Sequence, residues 1–514
     1  MVWSPMKARS PAIPSTVDIL FLLLVALVPL STSRRLFGAD GDIGRHLRVG
    51  EDILRGHSLF FEDHYSYTMQ GQPFVPYEWL SEILFALAHR IGGLPAVAVL
   101  TGLVIAVTYS LVVVFLRRGG VDALLAFLIG TLSALLGSVH WLPRPHIFTS
   151  LGALLLLYLL ERGRPSTLWL FVPLFVVWAN LHGGFIYGLI LIGVYLAGDL
   201  VEMVSCKKGI WLQRAKYHGA ALVVSGLASF ANPSGPRLFA HVTGYLGNRF
   251  LVDRTQEYMS PDFHELTGQL FLGVLILVVV VLALRTQRPS YPRLLLLAVN
   301  LAFALYSGRN IPLFAVTALP VFALDVDPQW RQLSVARRFR VAVANGELKS
   351  VPGVWASLGA IAMVLVGLNH GYIGGVPRLP SQFDASRFPV SAIERAREQG
   401  LEGRIFNQFA WGGYILYAWP EQKVFIDGQT DFYGEDLLRA YLQIAELQAG
   451  WRQALKDWDI SLVIASSDAA LIRELGREPG WNVWYRDGTA TILQRSANGW
   501  QQALAAAPSP AALR

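Results

Sequence analysis

Asp40 and Asp42 lie one residue apart in the stretch Leu36-Phe-Gly-Ala-Asp40-Gly-Asp42-Ile-Gly-Arg45-His46, directly after a long apolar run from Val17 to Leu30. In an extended or turn backbone, two carboxylates at that spacing can aim at one point. There they could hold a hard divalent cation, Mg2+ or Mn2+, through oxygen ligands, or take a proton as general base. A solvated turn uses the same residue types. Among the acids that follow before the next long apolar run are Asp63 and Glu78. Either could complete a cation site or act as the base, and Glu78 joins Asp40 and Asp42 as a candidate catalytic acid.

A second set of residues suits an anion. Arg144, Arg237, Arg254 and Arg309 each fall near the end of an apolar run. A guanidinium so placed can bind phosphate through paired, charge-assisted hydrogen bonds, or it can anchor a helix end by snorkelling. His46, His64, His146 and His182 are candidate bases or phosphate contacts beside a structural role. Phe409-Ala-Trp411-Gly-Gly-Tyr414 is followed by Phe425-Ile-Asp427-Gly. Aromatics beside glycines allow close backbone approach and stacking, which suits a sugar or peptide. Trp411, Tyr414 and Asp427 are therefore substrate-binding candidates, with a tight turn over core aromatics as the other reading.

The elements that carry these residues follow from composition. The chain has 514 residues, 53% hydrophobic and only 15% charged, against about a quarter charged in soluble domains. Runs of roughly 15–22 apolar residues recur, near the length needed to cross hydrocarbon. Eleven spans are expected, at about 16–33, 94–116, 121–139, 147–161, 167–182, 184–204, 217–231, 266–285, 292–306, 311–325 and 351–369. The net charge of +7 is spread between these runs, which argues for membrane topology and against nucleic-acid binding. The single cysteine, Cys206, excludes an intrachain disulfide and argues against a Cys/His zinc site. Lys7 and Arg9 precede the first run, and Ser-Thr-Ser-Arg-Arg after it is a poor cleavage site, so a retained signal anchor is expected.

With the N-terminus inside, the inner loops hold Arg117-Arg118, Arg162 and Arg164, Lys207 through Lys216, Arg285 through Arg293, and Arg331 through Lys349. Every inner loop is then basic, as the positive-inside rule requires. The stretch 78–91 is helical in pattern but short, and is read as interfacial or re-entrant rather than as a crossing. Residues 370–500 form a soluble α/β domain on the outer side. Strand signals are expected at 404–407, 423–427 and 461–465, amphipathic helices at 434–448 and 467–475, and a closing hairpin of 481–486 and 489–495 around Asp487-Gly488. Residues 1–369 form the membrane domain, with a long first outer loop at 34–93, and the Ala/Pro-rich tail 501–514 is expected to be disordered.

Several of these motifs together resemble the GT-C glycosyltransferases of bacterial membranes. They are Asp40-Gly-Asp42 with His46, Asp63-His-Tyr-Ser-Tyr, Pro76-Tyr-Glu78-Trp79, Arg144-Pro-His146, Trp178-Ala-Asn-Leu-His182-Gly-Gly and Asn232-Pro-Ser-Gly. The C-terminal domain resembles that of the oligosaccharyltransferase catalytic subunit, with an aromatic–glycine motif before a strand and an Asp-Gly turn. The resemblance implies a polytopic helical membrane enzyme of the bacterial inner membrane with its C-terminal domain outside. It implies a catalytic carboxylate at Asp40 or Asp42, often with a metal. The donor would be a polyprenyl-phosphate-linked sugar, the acceptor a glycan, lipid or protein. The oligosaccharyltransferase motif Trp-Trp-Asp-Tyr-Gly is not kept: 409–414 has no acid at the third position, so reading of an Asn-x-Ser/Thr acceptor is not implied. A lipid-linked sugar flippase and a non-catalytic assembly protein are the competing readings. Transporters show repeats and midplane charges, whereas here the polar motifs gather at one face and no repeat is visible.

Overall fold

The computed structural model describes residues 10–31, 36–206, 209–285, 288–334 and 336–496. Lys7, Arg9, residues 32–35, Lys207, Lys208 and the tail 501–514 lie outside the described residues. The chain divides into two compact units. One is built from described segments of 1–33, 91–239 and 252–379; the other from segments of 34–90, 240–251 and 380–514. The sequence reading divides the chain at about 370 and 500; by its contacts the chain divides by segments, and 34–90 groups with 240–251 and the residues after 380.

One such cut falls at a break in a helix. Trp79–Arg118 is interrupted at Gly92 (φ −146°, ψ 18°) and Gly93 (φ 67°, ψ −160°). The Gly93 conformation is one that a side chain disfavours, and Pro95 follows without a donor N–H. The short stretch 79–90 thus belongs to the second unit and 94–118 to the first.

The first unit is helical. All eleven expected spans are helix, and the run at 311–325 forms two, Ile311–Val316 and Ala318–Gln332, bent by 44°. Among the described residues, four helices are long and apolar enough to cross a membrane, Trp79–Arg118, Ala123–His140, Phe185–Ser205 and Leu266–Leu284, or up to five with the bent pair. Four others, including Thr16–Leu30 and Val354–Leu368, are apolar but shorter. Leu266–Leu284 is apolar on every side, with Leu266, Val279 and Leu284 between 65% and 78% exposed. A helix apolar all round and left uncovered belongs in lipid, and the chain is a multi-pass membrane protein.

Small residues set the close helix approaches. Gly152 and Gly188 lie against the Trp178 ring, and Gly198 against Pro292. Buried polar groups are paired. Asp18 accepts from the Ser15 N–H and hydroxyl with one oxygen and from the Gly353 and Ala356 N–H groups with the other, so one carboxylate caps two helix starts. The loop arginines behind the topology argument are tied to acids: Arg293 to Glu161 and Asp325, Arg288 to Glu202, and Arg214 to Asp199. A small hairpin, β1 (Tyr372–Ile373) with β2 (Val376–Pro377), follows the last apolar helix.

The second unit is built on a four-stranded sheet. Its strands are β3 (Ile405–Asn407), β4 (Leu462–Ser466), β5 (Trp481–Arg486) and β6 (Ala490–Arg495), in order β3-β4-β6-β5. β3 runs parallel to β4, and the β5–β6 hairpin closes the sheet antiparallel around Asp487-Gly488, with a bulge between Val483 and Tyr485. Helices Thr430–Ala445, Trp451–Asp457 and Ala470–Leu475 cover it.

The strand expected at 423–427 does not join this sheet. Val424 makes an isolated bridge to Ser66, giving its N–H to the Tyr65 carbonyl and accepting from the Tyr67 N–H. On the other side the Asn407 carboxamide replaces a strand: its Nδ2 donates to the Ile426 carbonyl and its Oδ1 accepts from the Phe425 N–H. The segment leading to Asp427 is therefore clamped between the first loop and one side chain of β3.

Candidate functional site

Helix Asp42–Gly56 brings the paired acids into the second unit. Asp42 is its first residue, and the Asp40 Oδ1 accepts from the Asp42 N–H at 3.0 Å. Both acids are partly buried, with the Asp40 Oδ2 shielded from solvent, whereas Arg45 and His46 one turn on are buried. Carboxylates at a helix N-terminus are favoured by the dipole.

Glycines let three backbones meet at this point. A Cβ on Gly41 would strike the Ala410 carbonyl, one on Gly44 the Gly413 carbonyl, and one on Gly413 the Gly41 carbonyl. A Cβ on Gly428 would collide with the Asp42 carboxylate. The Trp411-Gly-Gly-Tyr414 motif is thus a packing surface for the helix that begins at Asp42. Trp411 and Tyr414 themselves are buried. The Trp411 Nε1 donates to the Arg387 carbonyl, and Tyr414 packs on Phe383 and Phe388. They are core aromatics, not an open sugar platform.

Beneath the acids lies a buried ionic network. The Arg45 Nε donates to Asp427 Oδ2 at 3.1 Å, and its NH1 is 3.7 Å from Glu82 Oε1. His46 Nδ1 is 3.3 Å from the same Glu82 oxygen. The Tyr433 hydroxyl donates to Asp427 Oδ2 and the Gln429 N–H to Oδ1. The Arg45 guanidinium also lies 5.4 Å over Phe74 and 5.7 Å over Tyr65. Burial opposes the charge on Arg45, and Asp427, then Glu82, more than offset it. Burial in turn raises the Asp427 carboxyl above its ordinary value, with Arg45 countering. Asp427 is therefore an anchor for Arg45 rather than a solvent-facing ligand.

The remaining expected residues divide. Asp63 is buried and caps its own turn, accepting from the Tyr65 and Ser66 N–H groups and the Ser66 hydroxyl. His64 is exposed, edge-on to Phe60. Glu78 is half-buried just before the 79–90 helix. A pair that the sequence reading did not single out lies near Asp427: His241 Nε2 sits 2.7 Å from Asp431 Oδ2, with Tyr77 ring to ring at 5.3 Å. Burial raises the Asp431 carboxyl, but His241 and Tyr77 hold it below its usual range.

Arg144, His146, His182, Arg237 and Arg309 belong to the first unit. Arg144 NH1 donates to Glu257 Oε1 at 2.6 Å, and Arg309 NH1 is 3.7 Å from Glu257 Oε2. Arg309 also donates to the Tyr258 hydroxyl at 2.8 Å. His146 Nε2 donates to the His140 carbonyl. His182 Nδ1 accepts from the Gly184 N–H and the Thr149 hydroxyl, which itself accepts from Trp178 Nε1. Those two donors place the ring hydrogen of neutral His182 on Nε2. Arg237 is exposed. Arg45, Glu82, Tyr433 and Glu257 were missed as site residues. Only Glu82, one helical turn after Glu78, carried a sequence signal.

Among the described residues no three His, Cys, Asp or Glu side chains converge as metal ligands do. Asp40 and Asp42 still supply the one or two carboxylates with which a protein holds Mg2+ when phosphate and water complete the shell.

No protein-family model matches the sequence, and no curated protein matches it. Solved structures do. The oligosaccharyltransferase of Archaeoglobus fulgidus in its apo form aligns with a TM-score of 0.56 over 94% of this chain and 74% of that one, at 12% identity. AglB from the same organism, in complex with an inhibitory peptide and a dolichol-phosphate, gives 0.53 over 94% and 74%, also at 12%. ArnT from Cupriavidus metallidurans bound to undecaprenyl phosphate gives 0.50 over 93% and 98%, at 16%. At these identities the likeness is one of fold, and the chain shares the fold of these oligosaccharyltransferase and ArnT structures.

Proposed function

We propose that this chain is a glycosyltransferase that moves a sugar from a polyprenyl-phosphate-linked donor to an acceptor on the outer face of the bacterial cytoplasmic membrane. The observation that carries the reading is the placement of Asp40 and Asp42. They are partly buried acids at a helix start that is otherwise locked by buried Arg45, Glu82 and Asp427. Support comes from the fold shared with AglB and ArnT, whose structures hold dolichol-phosphate and undecaprenyl phosphate.

In this reading an acceptor hydroxyl gives its proton to Asp42 or Asp40. The acceptor oxygen bonds to the anomeric carbon. The bond from that carbon to the phosphate oxygen breaks, and the electron pair leaves on the phosphate. Within the first unit, Arg144 and Arg309 are the candidates to bind a lipid phosphate. Mg2+ or Mn2+, where bound, would be held by Asp40 and Asp42 and would polarise the phosphate. The sugar is a hexose or a pentose, and the acceptor a glycan, a lipid or a protein. The same reading assigns the C-terminal domain to the outer face of the membrane.

The test is transfer from a polyprenyl-phosphate sugar by purified, folded Asp40→Asn and Asp42→Asn variants. Loss of a positioned general base costs about 10²–10⁴-fold, and one of the two should lose that much. Wild-type turnover by both would remove the catalytic assignment.

A further inference from the structure

Glu257 occupies the place on Arg144 and Arg309 that an anionic ligand would take. Its two oxygens are shared between the guanidiniums, at 2.6 and 3.7 Å. The three side chains come from different loops: Arg144 from the turn before helix His146–Arg162, Glu257 from the short turn Gln256–Tyr258, and Arg309 from the turn Gly308–Asn310. The backbone holds the last two together. The Ser307 hydroxyl donates to the Glu257 carbonyl, and the Gly308 N–H to the Met259 carbonyl. Arg309 stacks 5.0 Å over the Tyr258 ring. All three charged side chains are partly open, at 20% to 29% exposure, so a ligand can reach them. Burial raises the Glu257 carboxyl, but Arg144 and then Arg309 hold it well below the usual carboxylate range. It is ionised at neutral pH.

An anion entering this cluster must displace a carboxylate that is already in place and tethered. A second carboxylate has no advantage over it. A phosphate monoester has: it carries about −1.5 to −2 charge at neutral pH and three acceptor oxygens, enough for both guanidiniums and the Tyr258 hydroxyl. A phosphodiester carries a single charge. The second charge appears as the bond to the sugar breaks, so a site that opens to the second charge binds the departing group better than the donor, which is the condition for lowering a barrier.

We infer that Glu257 is a specificity-determining residue of a phosphate site formed by Arg144, Arg309 and Tyr258, one that admits a lipid phosphate and rejects a lipid carboxylate. The inference rests on the reading that these arginines take a lipid phosphate, and the experiment separates the two. The full chain, purified in detergent, is titrated with undecaprenyl phosphate and with palmitate, bound lipid being counted by native mass spectrometry. Wild type should bind the phosphate lipid and show no palmitate binding. Glu257→Gln should bind the phosphate lipid about tenfold tighter, with palmitate now bound, while Arg144→Gln weakens phosphate binding. Equal or weaker phosphate binding by Glu257→Gln, with Arg144→Gln still weakened, overturns the role of Glu257 and leaves the arginines as a phosphate site. Unchanged binding by Arg144→Gln removes the phosphate site and the inference with it. If Glu257→Gln does not fold, Glu257→Asp keeps the charge on a shorter arm. It should bind the phosphate lipid about threefold tighter, and equal or weaker binding overturns the inference.

Discussion

Arg45→Met is the sharpest test of the network beneath the paired acids. The substitution keeps an apolar stem and removes the guanidinium, together with its place over Phe74 and Tyr65. Glu82 and Asp427, 2% and 0% exposed, then lose their shared cation. Taking one partner out of a buried ion pair costs about 3–5 kcal/mol, because the remaining charge cannot reach water. For a unit of this size 1 kcal/mol moves the melting temperature by about 2–4 °C. The expected loss is therefore about 6–20 °C at pH 7.5, read by thermal melting of the purified chain. The loss has a defined pH dependence. Burial already raises the Asp427 carboxyl, and without Arg45 it rises further. The folded variant then holds a proton that the unfolded chain releases above the ordinary aspartate value of about 3.9. Its stability falls as pH rises through that window and recovers as pH falls. Wild-type and variant melts should converge towards pH 4, and Arg45→Met/Asp427→Asn should regain part of the loss. A variant melting within 2 °C of wild type at pH 7.5, or a gap that does not narrow in acid, would refute the reasoning.

Other consequences can be checked separately. Gly428→Ala adds a methyl against the Asp42 carboxylate. That carboxylate ends a flexible side chain and can move, so melting should change little while transfer falls about 10²-fold, as displacement by about 1 Å does. In a Cys206→Ser background, Glu421→Cys and Arg338→Cys, both exposed positions, test the proposed topology. An impermeant maleimide should label the first in intact spheroplasts and the second only after lysis; labelling of both before lysis would sink the outer placement of the second unit.

The apolar runs were legible because helix formation in lipid needs only length and composition. All eleven became helices. How many of them cross does not follow from composition. Phe171–Leu181 and Tyr291–Tyr306 are shorter than 18 residues, and Thr317 bends the run near 311–325 into two. The β5–β6 hairpin was legible from Asp487-Gly488, because turn chemistry is local. The strand at 423–427 was misread because its backbone pairs with Tyr65 and Tyr67, far away in the chain, and with a side chain, that of Asn407, rather than with a strand.

By itself, the sequence determined the residue types at the site and their local spacing. It placed two acids after an apolar run, arginines at helix ends, and glycines beside aromatics. Only the tertiary structure decided what each does. Trp411 and Tyr414 became core, Asp63 a turn anchor, and Asp427 the counterion of Arg45. Glu257, with no local pattern to mark it, was placed on two arginines. The reason is physical. Turns and helices are set by neighbours in the chain, whereas the partner of a buried charge is chosen by which distant segments exclude water together.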